Sequence, residues 1–320
     1  MKAAVYRTYG PPEVVKLEEI APPVLRPEDG KRVLIRVHSA SINPFDVLHR
    51  SGFLPIRPSN GWLKPKTSVL GIDVAGTIEA IGPEVTRFKL GDAVYGGCFG
   101  SHAEFVRARE DALAPLPAGL SFDQAAALPT AAMTALQGLR DVASLQAGQR
   151  ILINGASGGV GHLAVQIARA LGAEVTAVCS GPNGAWVKAL GADHVLDYTR
   201  VDFTRAGERY DIVYDAVGKR AYFASKRALT PAGVFVTENP LKVWSLLPQL
   251  GWAALTGDKR PRMHLADTNA QDLTFIGALC EKGQLRPVIE QVYPLNHTAA
   301  THRHVEAGHT KGKVVIAVRN

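Results

Sequence analysis

The sequence predicts an α/β fold in which a doubly wound parallel sheet is joined to a smaller, β-rich domain that forms a partial barrel. Three observations support this. A glycine-rich turn at residues 155–161 follows an apolar strand, strands and helices alternate from Gln149 onward, and residues 1–115 are rich in strand and turn signals. Alternation is typical of a parallel sheet with helices on both faces, whereas short strands between Gly and Pro turns are typical of small barrels.

The glycine-rich turn predicts a phosphate-binding site. The apolar run 151–153 ends at Asn154, and a helical pattern begins within the turn. Small residues let a ligand approach the backbone, and free N–H groups at a helix N-terminus bind anions. Read as G-x-G-x-x-G, the motif has alanine in its first glycine position. A tight structural turn is the alternative. The residues predicted to bind a dinucleotide here are Ala156, Ser157, Gly158, Gly159 and Val160.

The end of the next strand indicates which dinucleotide binds. Sites for NAD usually carry an acidic residue about 20 residues after the glycines, where it holds the ribose 2′-hydroxyl. Here strand 174–179 is followed by Ser180 and Asn183, without a carboxylate. Both side chains donate hydrogen bonds to a 2′-phosphate, and Lys188 lies nearby in sequence. NADPH is therefore the predicted cofactor, although Ser180 alone does not exclude NADH and is also common in ordinary turns.

A change of composition after Pro117 divides the chain. We expect residues 1–120 and 270–320 to form a catalytic domain and residues 121–269 to form the dinucleotide-binding domain. Helices are predicted at residues 122–128, 130–142, 272–282 and 299–308. The predicted strands of the parallel sheet are residues 150–153, 174–179, 194–196, 211–214, 233–236 and 262–265. Strands at 288–292 and 313–318 are expected to return the tail to the first domain.

The composition fits a globular protein with a large core, because 46% of the 320 residues are apolar and 20% are charged. Subtracting 29 acidic from 36 basic residues gives a net charge of +7. The charges are scattered, and no basic run with aromatic residues predicts a nucleic-acid interface. The three cysteines, Cys98, Cys179 and Cys280, are far apart, so a reduced, cytoplasmic setting without disulfides is expected.

The longest apolar segment covers residues 243–255 and contains Pro248 and Gly251. It is shorter than the roughly 20 residues that a helix needs to span a bilayer. We therefore expect no membrane span, and we expect the segment to lie in the core. A subunit contact or a substrate lid is the alternative.

Short motifs of one family recur in order along nearly the whole chain. They are SINPFD (41–46), RSG (50–52), LGIDVAG (70–76), GDAVYG (91–96), ALPT (127–130), GASGGVG (155–161), LGAD (190–193), DY (197–198) and GHTKGKVV (308–315). Each motif is modest alone, but their order and spacing are specific. In these motifs the chain resembles the medium-chain dehydrogenase/reductases, in the zinc-free quinone oxidoreductase branch that includes zeta-crystallin.

This resemblance implies a split GroES-like catalytic domain around a central Rossmann domain, with the active site in the cleft, and a homodimer. It also argues against a metal. Zinc-dependent relatives carry a cysteine, a His–Glu pair and a further ligand, and the first three positions here are Asn43, Ile72 and Asp73. An amide and an isoleucine cannot replace thiolate and imidazole as zinc ligands. The second zinc lobe of those relatives needs four closely spaced cysteines. It is also predicted to be absent, because Cys98 is the only cysteine between residues 91 and 111.

The implied reaction is transfer of hydride from NADPH to a quinone or an α,β-unsaturated carbonyl. Negative charge then builds on the carbonyl oxygen and needs a hydrogen-bond donor. Asn43 is the leading donor, because it occupies the position of the zinc-ligand cysteine and should therefore lie near the reacting atoms. Its alternative role is an Asx-type turn before Pro44. Thr130 is the second candidate catalytic residue, with helix capping as its alternative. Other residues predicted by resemblance to contact the cofactor are Thr134, Tyr198, Val217, Gly218 and Lys313, beside Asn43 and Thr130 themselves.

One position departs from the family pattern. Some relatives carry an active-site tyrosine shortly after the asparagine, whereas this chain has Leu48 and His49 there. A tyrosine proton donor from this position is therefore in doubt. His49 or solvent is the alternative donor, and Asp46 is expected to support the loop.

Three other functions compete with this reading. Residues 155–159 also fit G-x-S-x-G, so a serine hydrolase with Ser157, Asp215 and His264 is one alternative. The additional glycine at 161 and the lack of a preceding oxyanion loop favour a phosphate site instead. A non-catalytic NADPH-binding protein is the second alternative, and a zinc alcohol dehydrogenase is the third.

Overall fold

The computed structural model describes residues 1–218, 222–238, 248, 251, 252, 255, 256, 258 and 260–319. Contacts divide the chain into two compact units, Met1–Ala131 with Thr268–Asn320, and Ala132–Asp267. The boundaries differ from the predicted residues 120 and 270, because helix Phe122–Ala126 packs against strands of the first unit. The tail belongs to the first unit, as expected. The assignment of the ranges as functional domains stays a prediction.

Strands make up the sheets of both units. Among the described residues they are β1 (Lys2–Val5), β2 (Lys16–Glu19), β3 (Arg32–Ser41), β4 (Asp73–Ile81), β5 (Ala93–Gly97), β6 (Phe105–Arg109), β7 (Leu113–Pro115), β8 (Arg150–Asn154), β9 (Glu174–Cys179), β10 (His194–Asp197), β11 (Tyr210–Asp215), β12 (Leu229–Thr237), β13 (Pro261–Met263), β14 (Ile289–Pro294) and β15 (Lys313–Ala317).

Helices connect these strands. Those described are α1 (Pro44–Ser51), α2 (Arg57–Asn60), α3 (Phe122–Ala126), α4 (Pro129–Gln137), α5 (Gly161–Ala170), α6 (Gly184–Ala189), α7 (Tyr222–Ser225), α8 (Ala270–Glu281) and α9 (Thr298–Glu306). A π-helical turn, Gly138–Val142, follows α4. Short 3₁₀ turns lie at Pro12–Val14, Pro27–Asp29, Leu54–Ile56, Glu110–Ala112, Gly181–Asn183, Phe203–Arg205, Lys226–Ala228 and Leu295–His297.

The first unit is built on a seven-stranded sheet of order β14-β15-β3-β4-β5-β7, with β6 also paired to β3. Alternation of apolar and polar residues in β3 buries Val33, Ile35 and Val37 completely on one face. The closing strand β15 pairs antiparallel with β3, which brings the tail beside residues 39–41. The predicted β-rich domain is therefore present, and the tail completes its sheet.

Helix α1 begins immediately after β3 and carries several residues of interest. Pro44 occupies its first turn, where a missing N–H has no cost. The Asp46 carboxylate accepts the backbone N–H of Asn43 at 2.8 Å, which stabilises the helix start. Gly52 ends the helix in the left-handed conformation, with φ of 70°.

The second unit contains six parallel strands in the order β10-β9-β8-β11-β12-β13. All six predicted strands are found, so the doubly wound sheet is confirmed. The strand order reverses between β8 and β11, and ligands bind such sheets at the carboxyl ends beside this reversal. Residues 155–161 follow β8 at this point. Most of the predicted segment 243–255 lies outside the described residues, and no described helix is long and apolar enough to cross a membrane.

Two buried histidines of the first unit face each other without full hydrogen bonding. The rings of His102 and His302 lie 6.2 Å apart. Within the described chain, Nδ1 of His102 and both ring nitrogens of His302 lack a partner. Burial lowers the pKa of His102 to about 4, and burial with the nearby His102 and Arg50 lowers the pKa of His302 well below its usual value.

We predict that these histidines make the fold acid-sensitive. The unfolded chain takes up their protons near pH 6.5 whereas the folded chain does not, so their contribution to stability is lost as pH falls below 6.5. The difference in unfolding free energy between His302→Leu and wild type should shift in favour of the variant by about 1.4 kcal/mol for each pH unit below 6.5. Urea denaturation at pH 7.0, 6.0 and 5.5 measures this. Parallel pH profiles for the two proteins would contradict it.

Candidate active site and cofactor site

A fully buried carboxylate, Asp73, is the centre of a hydrogen-bonded network in the first unit. Asp73 opens β4 opposite Ser41 of β3. Its Oδ2 accepts from the Ser41 hydroxyl at 2.6 Å and from the Asn43 Nδ2 at 2.8 Å. Its Oδ1 accepts from the backbone N–H of Thr130 at 2.9 Å and from the Thr130 hydroxyl at 2.6 Å. Four hydrogen bonds thus compensate for the loss of water around this carboxylate.

Lys313 adds a positive charge to the network. Its Nζ donates to Asn43 Oδ1 at 2.6 Å and to the Ile42 carbonyl at 3.3 Å, and it lies 3.6 Å from Asp73 Oδ2. Only 3% of Lys313 is exposed. Burial lowers the pKa of Lys313, and the carboxylates of Asp73 and Asp46 oppose this shift. The first unit therefore holds a buried ion pair with an amide group between its partners.

This arrangement fixes the orientation of the Asn43 amide. Its Oδ1 accepts from the cation, and one Nδ2 hydrogen is donated to the anion, so the side chain does not cap the following helix. The second Nδ2 hydrogen remains to donate to a ligand. Thr130 differs, because its hydroxyl hydrogen is donated to Asp73 and its oxygen can only accept from a further group. The network brings together the predicted residues Asn43, Thr130 and Lys313.

The glycine-rich loop of the second unit has the geometry of an anion cradle. Gly155 has φ of 82°, and the N–H groups of Gly155 and Ala156 donate to the Val178 carbonyl of the neighbouring strand. No acceptor within the described chain is found for the N–H groups of Ser157, Gly159 and Val160. These amides precede α5, where the helix dipole also favours an anion. The loop therefore fits a pyrophosphate.

The glycines of this loop have different roles. A Cβ on Gly161 would lie 2.1 Å from the Gly155 carbonyl oxygen, so only glycine allows α5 to pack this closely on the loop. A Cβ on Gly158 would meet only that same oxygen, at 3.4 Å, which is ordinary contact. Gly161 is thus required by the fold, whereas space at Gly158 is available for a ligand.

The turn after β9 has the predicted donors in place. Asn183 Nδ2 donates to Ser180 Oγ at 3.0 Å, and Asn183 Oδ1 accepts from the Trp186 indole at 3.1 Å. The Ser180 hydroxyl hydrogen therefore remains to donate to a ligand. Tyr198 follows the adjacent strand β10, and 48% of its surface is exposed. Ser180 and Tyr198 thus lie at neighbouring strand ends.

Two charged residues at this edge were missed by the sequence analysis. A Cβ on Gly181 would lie 2.7 Å from an Asp197 carboxylate oxygen, so this carboxylate adjoins the turn. Hydrogen bonds from Thr199 lower the pKa of Asp197. Arg200 Nε lies 3.7 Å from the same carboxylate. A bound 2′-phosphate would need Arg200 to offset the negative charge of Asp197, and the i,i+3 spacing of these two residues was the available signal.

The remaining predicted cofactor residues also lie in or near this sheet. The N–H groups of Val217 and Gly218 donate to Asp215 Oδ1 at 3.1 and 3.0 Å, and the same oxygen accepts from Asn154 Nδ2 at 2.9 Å. This carboxylate fixes the turn after β11 to the end of β8. Thr134 is half-buried in α4, and its carbonyl accepts from the Tyr214 hydroxyl at 3.3 Å.

The hydrolase alternative lacks its hydrogen-bond chain. Asp215 bonds the groups just described, and within the described chain His264 Nε2 has no partner. Ser157 follows β8 whereas His264 follows β13, three strand spacings away. At roughly 4.8 Å per strand this separation is about 14 Å. A relay from Ser157 through His264 is therefore not formed.

Comparisons with known proteins cover nearly the whole chain. Residues 29–118 match the model of the alcohol dehydrogenase GroES-like domain, and residues 190–316 match that of the zinc-binding dehydrogenases. An NADPH-dependent alkenal/one oxidoreductase of Arabidopsis thaliana is 33% identical over 99% of this chain and 79% of its own length. A quinone oxidoreductase of Pseudomonas aeruginosa is 33% identical, covering 98% of this chain and 99% of its own. The solved quinone oxidoreductase of Coxiella burnetii is 34% identical with a TM-score of 0.88, covering 100% of this chain and 99% of that one.

The second family model is named for zinc, but the residues here do not fit that metal. The network places an amide and an ammonium group beside a single carboxylate. A second cation would be repelled by Lys313, and neither Asn43 nor Ile72 provides a soft ligand. Among the described residues no group of three His, Cys, Asp or Glu side chains could hold a metal ion. We derive no chemistry through zinc.

We predict that the buried ion pair is coupled strongly to stability. Lys313→Met leaves the Asp73 carboxylate without its cation, so it should lower the unfolding free energy by about 3 kcal/mol or more. Adding Asp73→Asn removes the uncompensated charge, so the double variant should lose less than the sum of the single losses. Urea denaturation of the four proteins measures the coupling. Additive losses would show that the charges do not interact.

We also predict opposite effects for two glycines of the loop. Gly158→Ala should leave the melting temperature nearly unchanged but weaken NADPH binding at least tenfold, because the methyl group occupies space for the phosphate. Gly161→Ala should lower the melting temperature without ligand, because its Cβ collides with the Gly155 carbonyl. Thermal melts and fluorescence titration with NADPH separate the two effects. Unweakened binding by Gly158→Ala would rule out a pyrophosphate at this loop.

Proposed function

Because the chain belongs to the medium-chain dehydrogenase/reductase family, in its quinone oxidoreductase branch, we propose that it is an NADPH-dependent oxidoreductase of quinones or α,β-unsaturated carbonyls. The relatives named above support both substrate classes and the nucleotide. We also propose that the reaction needs no metal. The observation that carries this part is the buried Lys313, which donates a hydrogen bond to the Asn43 amide, whose free Nδ2 hydrogen can donate to a carbonyl oxygen.

The network provides electrostatic stabilisation of a developing oxyanion. NADPH, when bound, supplies the hydride. The free Nδ2 hydrogen of Asn43 donates to the substrate carbonyl oxygen, on which negative charge accumulates as the hydride arrives. Lys313 withdraws electron density from the same amide through Oδ1, which makes Nδ2 a stronger donor. The site is buried, so this interaction is stronger than it would be in water.

Asp73 and Thr130 act by positioning in this proposal. Asp73 accepts one Nδ2 hydrogen of Asn43 and so directs the other hydrogen away from itself. Thr130 holds Asp73 from the opposite oxygen through two hydrogen bonds, at the start of α4. Rotation of the Asn43 amide would break bonds to both Lys313 and Asp73. The donor is therefore preorganised, with little reorganisation needed during the reaction.

The cofactor residues proposed for this chain lie mainly on the second unit. The N–H groups of Ser157, Gly159 and Val160 would hold the pyrophosphate. Ser180 and Tyr198 would contact the 2′-phosphate, and Arg200 would balance the charge of Asp197 there. The turn at residues 217–218 would border the nicotinamide ribose. Lys313 is directed at Asn43, so we assign it to the catalytic network rather than to the cofactor.

We further propose a cytoplasmic location and a homodimer. All three cysteines are free, which suits a reducing compartment. Some relatives are named as chloroplastic or mitochondrial, so cell fractionation is the appropriate test of location. Analytical ultracentrifugation tests the oligomeric state.

Steady-state oxidation of NADPH with 1,4-benzoquinone and with 2-cyclohexen-1-one tests the proposed activity, with NADH assayed in parallel. We expect turnover of at least one acceptor and a clear preference for NADPH. Binding of NADPH without turnover of any acceptor would favour the non-catalytic alternative. Equal efficiency with both nucleotides would contradict the role of Ser180, and loss of activity on removal of zinc would contradict the metal-free reaction.

Asn43→Ala should lower kcat about 100-fold with both acceptors, since one donor to an oxyanion typically contributes a factor of this size. Binding of NADPH should change little. Asn269→Ala is the matched control, because Asn269 accepts the Asp272 N–H at the start of α8 and its loss should lower stability rather than kcat. An unchanged kcat in Asn43→Ala would remove Asn43 from the mechanism.

A further inference from the structure

One turn of the first unit, residues 60–66, presents two large apolar side chains to solvent. Trp62 is 63% exposed and Leu63, the next residue, is 88% exposed. Apolar residues scattered singly over a surface need no explanation, whereas a contiguous apolar patch with a polar rim is typical of an interaction site. We refer to residues 60–66 as the Trp62 turn and to its two apolar side chains as the tip.

Hydrogen bonds hold the backbone of the Trp62 turn in a fixed shape. The N–H of Lys66 donates to the Asn60 carbonyl at 2.6 Å, which closes the turn. The Tyr9 hydroxyl donates to the Gly61 carbonyl at 2.6 Å, which ties the turn to the N-terminal segment. Gly61 has φ of 116°, and a Cβ there would collide with the Lys64 carbonyl oxygen. The tip is therefore presented on a preorganised backbone, so contact with a partner costs little backbone entropy.

Positive charge surrounds the tip. Lys64 and Lys66 follow it in sequence, and both are exposed. Arg57 Nη1 donates to the Trp62 carbonyl at 3.4 Å, so this guanidinium lies against the turn from the other side of the sequence. No aspartate or glutamate occurs in residues 47–72 to offset these cations. The Trp62 turn thus combines an apolar tip with three cations.

This combination fits an anionic lipid surface better than it fits a protein. Lysine is depleted in protein–protein interfaces, whereas lysines beside an apolar tip can contact lipid phosphates while the tip enters the headgroup region. The indole of Trp62 suits that depth, because tryptophan is enriched at the boundary between membrane and water. Two apolar side chains and three cations support a weak and reversible contact with the surface of a bilayer.

We propose that the Trp62 turn is a peripheral docking site for membranes that contain anionic phospholipids. Trp62 and Leu63 enter the headgroup layer, and Lys64 and Lys66 bind the lipid phosphates. Docking is separate from the proposed oxidoreductase activity, since none of these four side chains belongs to the network around Asp73.

Sedimentation of the full chain with vesicles tests the contribution of charge. Vesicles of equimolar phosphatidylcholine and phosphatidylglycerol are compared with vesicles of phosphatidylcholine alone. Binding should be about tenfold or more stronger on the anionic vesicles and should weaken as salt is raised, because each cation near such a surface strengthens binding about fivefold. Lys64→Glu combined with Lys66→Glu should weaken binding to the anionic vesicles about tenfold or more. Lys16→Glu combined with Lys89→Glu is the matched control, because it makes the same change in net charge at exposed lysines outside the turn and should bind far better than the turn variant.

A second pair of variants tests the apolar tip. Trp62→Ser combined with Leu63→Ser should weaken binding to the anionic vesicles about tenfold or more, because the apolar side chains no longer leave water. Leu90→Ser is the control, since Leu90 is 62% exposed in another turn of the first unit and its loss should not change binding. Phosphatidylcholine with brominated acyl chains in the anionic vesicles should quench tryptophan fluorescence of the wild-type protein, and Trp62→Phe should remove most of this quenching.

The melting temperatures of all variants should stay close to the wild-type value, because the substituted side chains are exposed. Absence of wild-type binding to the anionic vesicles, or equal binding by the wild-type protein and the turn variants, would overturn the docking site. Binding without quenching would also overturn it, because net charge alone would then explain the contact. Each of these results leaves the proposed oxidoreductase activity intact.

Discussion

The first unit of this protein depends on one buried ion pair. Asp73 has no exposed surface and Lys313 almost none, so each charge is tolerable only because the other is close and because hydrogen bonds occupy the remaining positions. The pair connects parts of the chain that are far apart in sequence. Asp73 opens β4, Lys313 opens β15 near the C-terminus, and Thr130 lies at the start of α4. The ion pair and its hydrogen bonds therefore connect three distant parts of the first unit.

This pair also gives the site a fixed positive charge without a metal. A zinc ion would act on a carbonyl oxygen directly as a Lewis acid. In the proposed mechanism the ammonium group instead acts through the amide of Asn43, at 2.6 Å from its oxygen. Such a relay is weaker than a metal, and it suits an acceptor that is already electron-poor, such as a quinone or an enone. The geometry thus agrees with the substrates of the named relatives.

The sequence predicted local features much better than long-range ones. The loop at residues 155–161, the strands of the parallel sheet and the tail helices were all predicted, because each depends on a short continuous pattern. Asp73 was considered only as a position that a zinc ligand would occupy. Its central place in a network depends on residues 30 to 240 positions away, which no local pattern encodes. A carboxylate inside the apolar run 70–81 was nevertheless a signal, because buried charges are rare and need partners.

Lys313 shows that long-range contacts, which no local sequence pattern encodes, also decide the role of a residue. The family resemblance placed Lys313 among the residues predicted to contact the cofactor, whereas a basic residue that opens a terminal strand is often simply exposed to solvent. The register of β15 against β3 brings this side chain to Ile42 and Asn43, and its predicted contact with the cofactor stays a prediction. With the ammonium placed there, the first unit contains every group of the network on which the proposed oxyanion stabilisation depends.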